Sequence, residues 1–180
     1  MFMSKFNFII SRLIILLVIS FNIQCKKNET PNLEEQQTTI KEHVKITSQD
    51  IDNIQYAEFV LSDLAKKQVE NWAKFKNLEG EIENLKNGSL SFFKDDKTIL
   101  KGFITDLKNE IPQSLNSSSI IVRLSVLETA MYKFDETANL QSSTKASVIN
   151  DIERLLLAYN NCVYQINKIV EKASQKIIKP

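Results

Sequence analysis

Apolar residues recur at intervals of three and four along four stretches of this chain, which is the spacing of one buried face of an α-helix. The first stretch follows good N-cap residues at positions 47–50 and continues, despite Gly80, to the turn-forming pair Asn87-Gly88. We expect one long helix here. Its apolar stripe comprises Ile54, Ala57, Leu61, Ala65, Val69, Trp72 and Phe75, continued by Leu78, Ile82 and Leu85.

Three further helices are predicted downstream. The second covers residues 99–111 and is ended by Pro112. The third covers residues 120–138, and the first half of it is apolar almost all round, so we expect it in the middle of a bundle. The fourth covers residues 143–176 with strict four-and-three spacing and a length of roughly 50 Å. The residues that broaden the stripe of the third helix are Ile121, Val122, Val126 and Ala130.

Glycine and proline are scarce, with three residues of each, which leaves little room for the many turns of a β-sandwich or barrel. The regular spacing in the last two helices is typical of near-parallel packing at about 20°. The sequence therefore predicts an all-α fold, an antiparallel helical bundle of about four helices over residues 48–178, behind a flexible N-terminal tether. The residues expected at the centre of its core are Leu127, Met131, Leu155 and Ile166.

The N-terminus has the features of a secretory signal. Lys5 and Arg12 precede and flank an apolar stretch at residues 13–23. That stretch is too short for the roughly 20 residues that cross a bilayer core, but it suits the hydrophobic region of a signal peptide. Cys25 then opens a polar segment. We therefore predict a signal peptide over residues 1–24.

The residues around Cys25 resemble the lipid-attachment signal of a bacterial lipoprotein. Gln24 and Asn22 depart from the usual pattern, which has a small residue directly before the cysteine and an aliphatic residue three before it. The cysteine followed directly by Lys26 and Lys27 is similar to the looser signals of spirochaete and Bacteroidetes lipoproteins. The resemblance implies that Cys25 carries a lipid anchor, which palmitate would label, and that the protein lies in the bacterial cell envelope. The outer membrane or the cell surface is favoured over the inner membrane. Cleavage without lipidation and an uncleaved signal anchor are the alternatives.

Residues 25–47 are rich in Glu, Gln, Thr and Lys, and they contain Pro31 but few large apolar side chains. Such a composition cannot bury enough surface to fold by itself, so we predict a flexible tether between the lipid and the folded domain. His43, the single histidine of the chain, lies in this tether without a cysteine or second histidine near it. We therefore predict no metal site and no cofactor.

Charge and motifs argue against several function classes. Loss of two basic residues with the signal peptide changes the formal net charge from +1 to −1, which disfavours a nucleic-acid-binding protein. The sequence has no glycine-rich phosphate loop, and a single histidine in the tether excludes a Ser-His-Asp triad in the folded part. We therefore predict that the protein is not an enzyme. The acid pairs, expected on solvated helix faces, are Asp106 with Glu110 and Glu79 with Glu83.

Arg123 and Glu128 are the candidate site residues of the helical part. Both lie among apolar residues of the third helix, but at five positions apart they do not face each other. If either is buried it needs a partner from another helix, because an unpaired buried charge is strongly destabilising. We expect a structural ion pair, with ligand contact and plain solvent exposure as alternatives. The candidate partners on the fourth helix are Asp151, Glu153 and Arg154.

The fourth helix also carries a belt of amide and tyrosine side chains, which suits recognition of a partner and is equally ordinary on a solvated surface. With Cys25 lipidated no intrachain disulfide is available, and we expect Cys162 to be a small buried apolar residue. Trp72 is expected to anchor the core. The residues of the belt are Tyr159, Asn160, Asn161, Tyr164, Gln165 and Asn167.

The function that these features favour is a membrane-anchored lipoprotein of the bacterial envelope, acting as a protein-interaction or structural module with an envelope protein as its partner. The alternative is a lipoprotein that binds a small ligand in a pocket between helices, and a third class is an enzyme of unrecognised type. A long exposed apolar groove would favour the first function. A closed polar pocket containing Arg123 would favour the second, and carboxylates clustered in a cleft would favour the third.

Overall fold

The computed structural model describes residues 44–94 and 96–175, and this part of the chain contains six α-helices, one short 3₁₀ helix and no β-strand. The predicted all-helical fold class is confirmed, but the helices are more numerous than the four expected. They are α1 Ser48–Asp52, α2 Asp63–Val69, α3 Ala73–Lys86, α4 Lys97–Asn109, α5 Ser118–Asn139 and α6 Lys145–Ser174, with the 3₁₀ helix Ser91–Lys94 before α4.

The predicted signal peptide, the lipidation site Cys25 and the tether residue His43 lie outside the described residues. Within the described ranges, no helix is both long enough and apolar enough to cross a membrane. Ile46, which the sequence placed in the tether, is buried in the core, and Val44 packs partly against that core. The packed region therefore includes the end of the stretch predicted as tether.

Helices α5 and α6 form the largest helix–helix contact of the described structure. The Ser117 hydroxyl accepts a hydrogen bond from the Ile120 amide at the start of α5, and Thr144 caps α6 in the same way through the Ser147 amide. Residues 140–144 connect the two helices, which pack side by side as a hairpin. The four residues expected at the centre of the core are each at most 1 % exposed, namely Leu127, Met131, Leu155 and Ile166.

The central helix of the structure is α6 rather than α5. It contacts α1, α2 and α5. The expectation that α5 lies in the middle of the bundle was wrong. Helices α6 and α4 and the 3₁₀ helix pack on one side of α5 only, and Ile121, Val122 and Val126 on its other side are exposed. The buried residues in the middle of α6 cover slightly more than half of its circumference and are Leu155, Leu156, Ala158, Tyr159, Asn160, Cys162 and Val163.

The prediction of one long first helix was also wrong. The stretch is divided among α1, α2 and α3, and residues 53–62 between α1 and α2 are not helical. We call residues 53–62 the clamped segment. After the break the apolar stripe is buried, since Ala65 and Val69 belong to the core, whereas within the break Leu61 is buried and Ala57 is exposed.

Two asparagine side chains of α6 hold the backbone of the clamped segment. Asn160 Oδ1 accepts a hydrogen bond of 2.7 Å from the Phe59 amide. Asn167 Oδ1 accepts one of 2.9 Å from the Ser62 amide, and its Nδ2 donates one of 2.8 Å to the Val60 carbonyl. Because residues 53–62 are not helical, their amides and carbonyls lack the internal partners of a helix, and α6 supplies a part-buried partner at Phe59 and exposed ones at Val60 and Ser62.

The turn predicted to end the first stretch is confirmed at Gly88. The Gly88 amide donates to the Leu85 carbonyl and the Ser89 amide to the Asn84 carbonyl, which is the Schellman pattern of a helix C-terminus. Gly88 has a φ of 87°, and a Cβ there would lie 3.1 Å from the backbone nitrogen of Ser48. Glycine is therefore required both by the turn and by the close approach of the start of α1.

Trp72 and Cys162 are buried as the sequence predicts. Trp72 is fully buried, its Nε1 donates a hydrogen bond of 2.9 Å to the Leu107 carbonyl, and its ring stacks on Phe75 at 4.9 Å between centroids. Cys162 is buried in α6, and burial raises the pKa of its thiol to about 12. Because the thiolate is the nucleophilic form, a cysteine in this state is chemically inert and acts as a packing residue.

Candidate binding surface

The structure does not bring Arg123 and Glu128 together. Glu128 is half-buried and its carboxylate lies 2.8 Å from Lys108 Nζ on α4, not beside a residue of α6. Arg123 is half-buried and forms no ion pair or hydrogen bond with any described residue. One of its expected partners, Asp151, is engaged elsewhere, because it accepts a hydrogen bond of 2.6 Å from the Thr137 hydroxyl.

The side of α5 that faces away from the other helices is an exposed strip without charge. The three apolar residues of this strip are 45 %, 59 % and 50 % exposed, and at 1.5 Å per residue the strip is about 12 Å long. Exposed large apolar residues that lie next to each other mark an interaction surface more often than scattered ones do. We call this strip the outer face of α5, formed by Ile121, Val122, Ser125, Val126 and Thr129.

The two hydroxyl groups on the outer face of α5 are directed at the backbone of the helix itself. Ser125 Oγ donates a hydrogen bond of 3.0 Å to the Ile121 carbonyl, and Thr129 Oγ1 donates one of 2.9 Å to the Ser125 carbonyl. Their donors are thus used within the helix. The outer face therefore presents fewer polar hydrogens to a neighbour than its sequence suggests.

Arg123 and Glu128 lie on the two flanks of this outer face. Successive residues of an α-helix are about 100° apart, which places Arg123 beyond Val126 on one side and Glu128 beside Ile121 on the other. Glu128 is neutralised by Lys108, whereas Arg123 is unpaired among the described residues. The surface is therefore an apolar strip with one available positive charge along one edge.

A separate cleft of about 690 Å³ lies between the clamped segment, α2, α3 and α6. Arg123 does not line this cleft. The cleft is therefore not the closed polar pocket containing Arg123 that would favour the binding of a small ligand. Its walls carry charged side chains of both signs, including the ion pair between Lys86 and Glu58. The apolar residues that line the cleft include Leu61, Val69, Ile82 and Val163.

Tyr159 and Glu79 are the least exposed polar residues of this cleft that lack a protein partner, and since no side-chain N or O atom of the described residues is buried without a hydrogen bond, both polar groups keep contact with solvent. Tyr159 is 9 % exposed and its ring packs against Phe75, but its hydroxyl has no hydrogen bond to a described residue. Glu79 is half-buried and also lacks a hydrogen bond or ion pair in the described structure. Burial raises the pKa of both groups. The expectation of a solvated carboxylate holds for the exposed Glu83 but was wrong for Glu79.

Sequence reasoning also missed the structural role of Asn160 and Asn167. Both were assigned to a belt suited to recognition or to solvent, yet they clamp residues 53–62. Asn160 is 3 % exposed. Two features of the sequence indicate this role. The two asparagines are seven residues apart and so share one helix face, and Asn160 lies on the apolar side between Leu156 and Val163.

In the described ranges, no group of three or more His, Cys, Asp or Glu side chains is arranged to hold a metal ion. The described residues offer an apolar strip with a flanking arginine and an open cleft lined by charged side chains of both signs. Comparisons with protein-family models, with curated proteins and with solved structures yield no match to this chain.

Proposed function

We propose that this protein is a lipoprotein of the bacterial envelope, anchored through Cys25 behind a flexible tether, whose antiparallel helical bundle binds a partner protein. The observation that carries the interaction is the outer face of α5, where Ile121, Val122 and Val126 are about half exposed on one side of a well-packed helix. A helix needs only one apolar side to pack on its own domain, so a second apolar side is available to a partner.

The partner that fits this surface is an amphipathic α-helix. The outer face of α5 is narrow, straight and about 12 Å long, which suits the apolar stripe of one helix packed along another. Arg123 has no partner among the described residues, whereas Glu128 is already paired. The proposed partner helix therefore carries an acidic residue beside its apolar stripe, on the side that meets Arg123.

The anchor rests on the apolar stretch at residues 13–23 and on the cysteine that follows it. Metabolic labelling with palmitate tests it. The expected result is that the wild-type protein is labelled and membrane-bound, whereas Cys25→Ala is unlabelled and either uncleaved or released. Undiminished labelling of Cys25→Ala would contradict lipidation at this residue.

Site-specific photo-crosslinking in the intact envelope tests the interaction. A photoreactive residue at Val126 is expected to crosslink to a discrete protein, and one at Ile99 on α4, which is equally exposed, is the matched control. Val122→Asp should abolish the crosslink at position 126, since a charge would be buried in an apolar contact. Arg123→Glu should weaken it through repulsion of the partner acid.

Three outcomes would contradict this interaction. Equal crosslinking at positions 126 and 99 would show that the outer face of α5 is not selective. The absence of any crosslink at position 126 would show that it is unoccupied. A product of twice the chain's own mass would identify a second copy of this protein as the occupant.

A further inference from the structure

The outer face of α5 continues, towards the C-terminal end of that helix, into a small pocket between α5 and α4. The pocket has a volume of about 430 Å³ and is lined by Lys97, Thr98 and Lys101 of α4 and by Tyr132 of α5. Tyr132 lies eleven residues after Ile121, which is about three helical turns, so both residues are on the same side of α5. The pocket is therefore continuous with the surface proposed to bind a partner.

The charged residues that line this pocket are two lysines, and no acid lines it. Lys97 and Lys101 are exposed, and neither forms an ion pair with a described residue. The nearby Asp96 carboxylate caps α4 by accepting hydrogen bonds from the Thr98 amide and hydroxyl. Burial raises the pKa of Asp135, and the Lys97 charge partly offsets that rise from a longer distance. Lys101 is therefore the less compensated of the two lysines.

The exposed and half-buried acids of α5 on this side of the molecule are already paired. The Glu128 carboxylate lies 2.8 Å from Lys108 Nζ, and the Glu136 carboxylate lies 2.9 Å from Lys133 Nζ. Each pair is close to neutral for an approaching chain, so Lys101 adds a positive charge that these acids do not cancel. Charge complementarity therefore favours an acidic group of the partner in the pocket and disfavours a basic one.

The pocket and Arg123 lie at opposite ends and opposite edges of the outer face of α5. Tyr132 follows Arg123 by nine residues, which corresponds to about 14 Å along α5 and about half a turn around it. Two residues nine positions apart on a partner helix are related in the same way. Acids at such positions would therefore lie on opposite edges of the partner's apolar stripe, one for Arg123 and one for the pocket.

On the basis of the partner binding proposed above, we propose that this pocket takes a second acidic side chain of the same partner helix. That helix then carries two acids, about nine residues apart, on the two edges of its apolar stripe. The ammonium groups of Lys97 and Lys101 attract the carboxylate, and the half-buried Tyr132 ring and the lysine stems contact the apolar part of the acidic side chain. The partner is thus an acidic amphipathic helix of about three turns or more.

Photo-crosslinking of the full chain in the intact envelope tests whether the pocket and the outer face share one partner. A photoreactive residue at Thr98, which is exposed at the pocket, should capture the same protein as one at Val126. Ile99 is the control, because it lies about 160° from Lys101 around α4 and faces away from the pocket. A photoreactive residue there should give no product.

Charge reversal tests the contribution of the lysine. Lys101→Glu replaces an attraction by a repulsion, so it should lower the yield of the crosslink at Val126 about fivefold. Lys67→Glu on α2, also an exposed lysine without an ion pair to a described residue, is the matched control and should leave the yield unchanged. In membrane vesicles the loss should shrink at high salt, which screens the charge. Melting temperatures check that both variants fold, and Lys101→Gln, with a smaller expected loss, replaces Lys101→Glu if that variant does not.

The outcomes separate this proposal from the partner binding on which it rests. If nothing is captured at Val126, the partner binding itself fails and the pocket loses its ligand with it. If a protein is captured at Val126 but not at Thr98, only the second contact is overturned. Equal yields in Lys101→Glu and Lys67→Glu would also overturn it, and so would capture at Thr98 of lipid, of a second copy of this chain or of a different protein.

Discussion

The α5–α6 hairpin and the clamped segment pack on the same central helix, but their backbones are held in different ways. In the hairpin, each helix satisfies its own amides and carbonyls, and hydroxyl caps at Ser117 and Thr144 complete the first turns. In the clamped segment, the Phe59 and Ser62 amides depend on side chains of α6. The hairpin is therefore stabilised by packing and by hydrogen bonds within each helix. The clamped segment is stabilised by packing and by a few long-range hydrogen bonds.

This difference shows what a helical stripe does and does not specify. Residues at intervals of three and four share one side only where the backbone is helical, and in the non-helical link between α1 and α2 the stripe residue Ala57 is exposed. The stripe of the first stretch is buried from Leu61 to Leu85 although the helix is broken. Burial therefore follows from the stripe, and helix continuity follows from the partners available to the backbone.

The largest expected effect concerns the core of the hairpin. Leu155 is fully buried and Leu157, on the same helix, is 39 % exposed. Leu155→Ala should lower the free energy of unfolding by about 2–5 kcal/mol, through lost contacts and a cavity, and Leu157→Ala by about 0.5 kcal/mol or less. Urea denaturation measures both. Equal losses would show that α6 is not the central helix.

The next effect concerns the clamp. Asn160 is buried and bonds the Phe59 amide and the Leu156 carbonyl. Asn160→Leu leaves the Phe59 amide without this partner, whereas the Leu156 carbonyl keeps its hydrogen bond within the helix, and the change should cost about 1–3 kcal/mol. Amide exchange should accelerate at Phe59 while the middle of α5 stays protected. The exposed Asn161→Leu is the control. If Phe59 exchange is unaltered in Asn160→Leu, the clamp does not hold the segment.

The end of α3 meets the start of α1 at Gly88. Gly88→Ala forces a side chain into a left-handed backbone at a cost of about 1–2 kcal/mol, and its Cβ would press on the backbone at Ser48. Gly80 lies inside α3 with no atom within 4 Å of its Cβ position, so Gly80→Ala should instead stabilise the protein by about 0.5–1 kcal/mol. Opposite shifts of the denaturation midpoint are expected. Stabilisation by Gly88→Ala would contradict the turn.

The smallest effect concerns the link between α1 and α6 through Asp50. Hydrogen bonds from Lys145 and Thr47 lower the pKa of Asp50 from 3.8 to about 2. Because the folded-state pKa is lowered, this contribution to stability is present above about pH 4 and is lost as the pH falls towards 2. The difference in melting temperature between wild type and Asp50→Asn should therefore shrink across that window. A constant difference would assign the effect to the helix cap instead of the charge.

Much of the fold could be predicted from the sequence because it depends on local rules. The capping residues, the scarcity of glycine and proline and the three-and-four spacing were sufficient for the all-helical class, for α5 and α6 and for their buried stripe. The turn at Gly88 follows from the same kind of rule, since few residues other than glycine tolerate its φ. Each of these features depends on neighbours within a few positions of the chain.

The candidate sites could be predicted only in part. Arg123 and Glu128 were singled out, but their placement on the flanks of an exposed strip depends on which side of α5 the other helices cover. Nothing in the sequence near Glu79 distinguishes it from Glu83, and only the packing of the elements around the cleft leaves Glu79 half-buried and Glu83 exposed.

The sequence by itself determined the helical class, most of the buried stripe and the ends of α5 and α6, because spacing and capping act over one or two turns. Tertiary structure alone decided that α6 is central, that the outer face of α5 is uncovered and that residues 53–62 are not helical. Those outcomes depend on contacts such as Asn160 with Phe59, about a hundred residues apart in the chain. Hydrogen bonds and packing over such separations are set by the assembled fold, and they override local helix propensity, which differs among ordinary residues by less than about 1 kcal/mol.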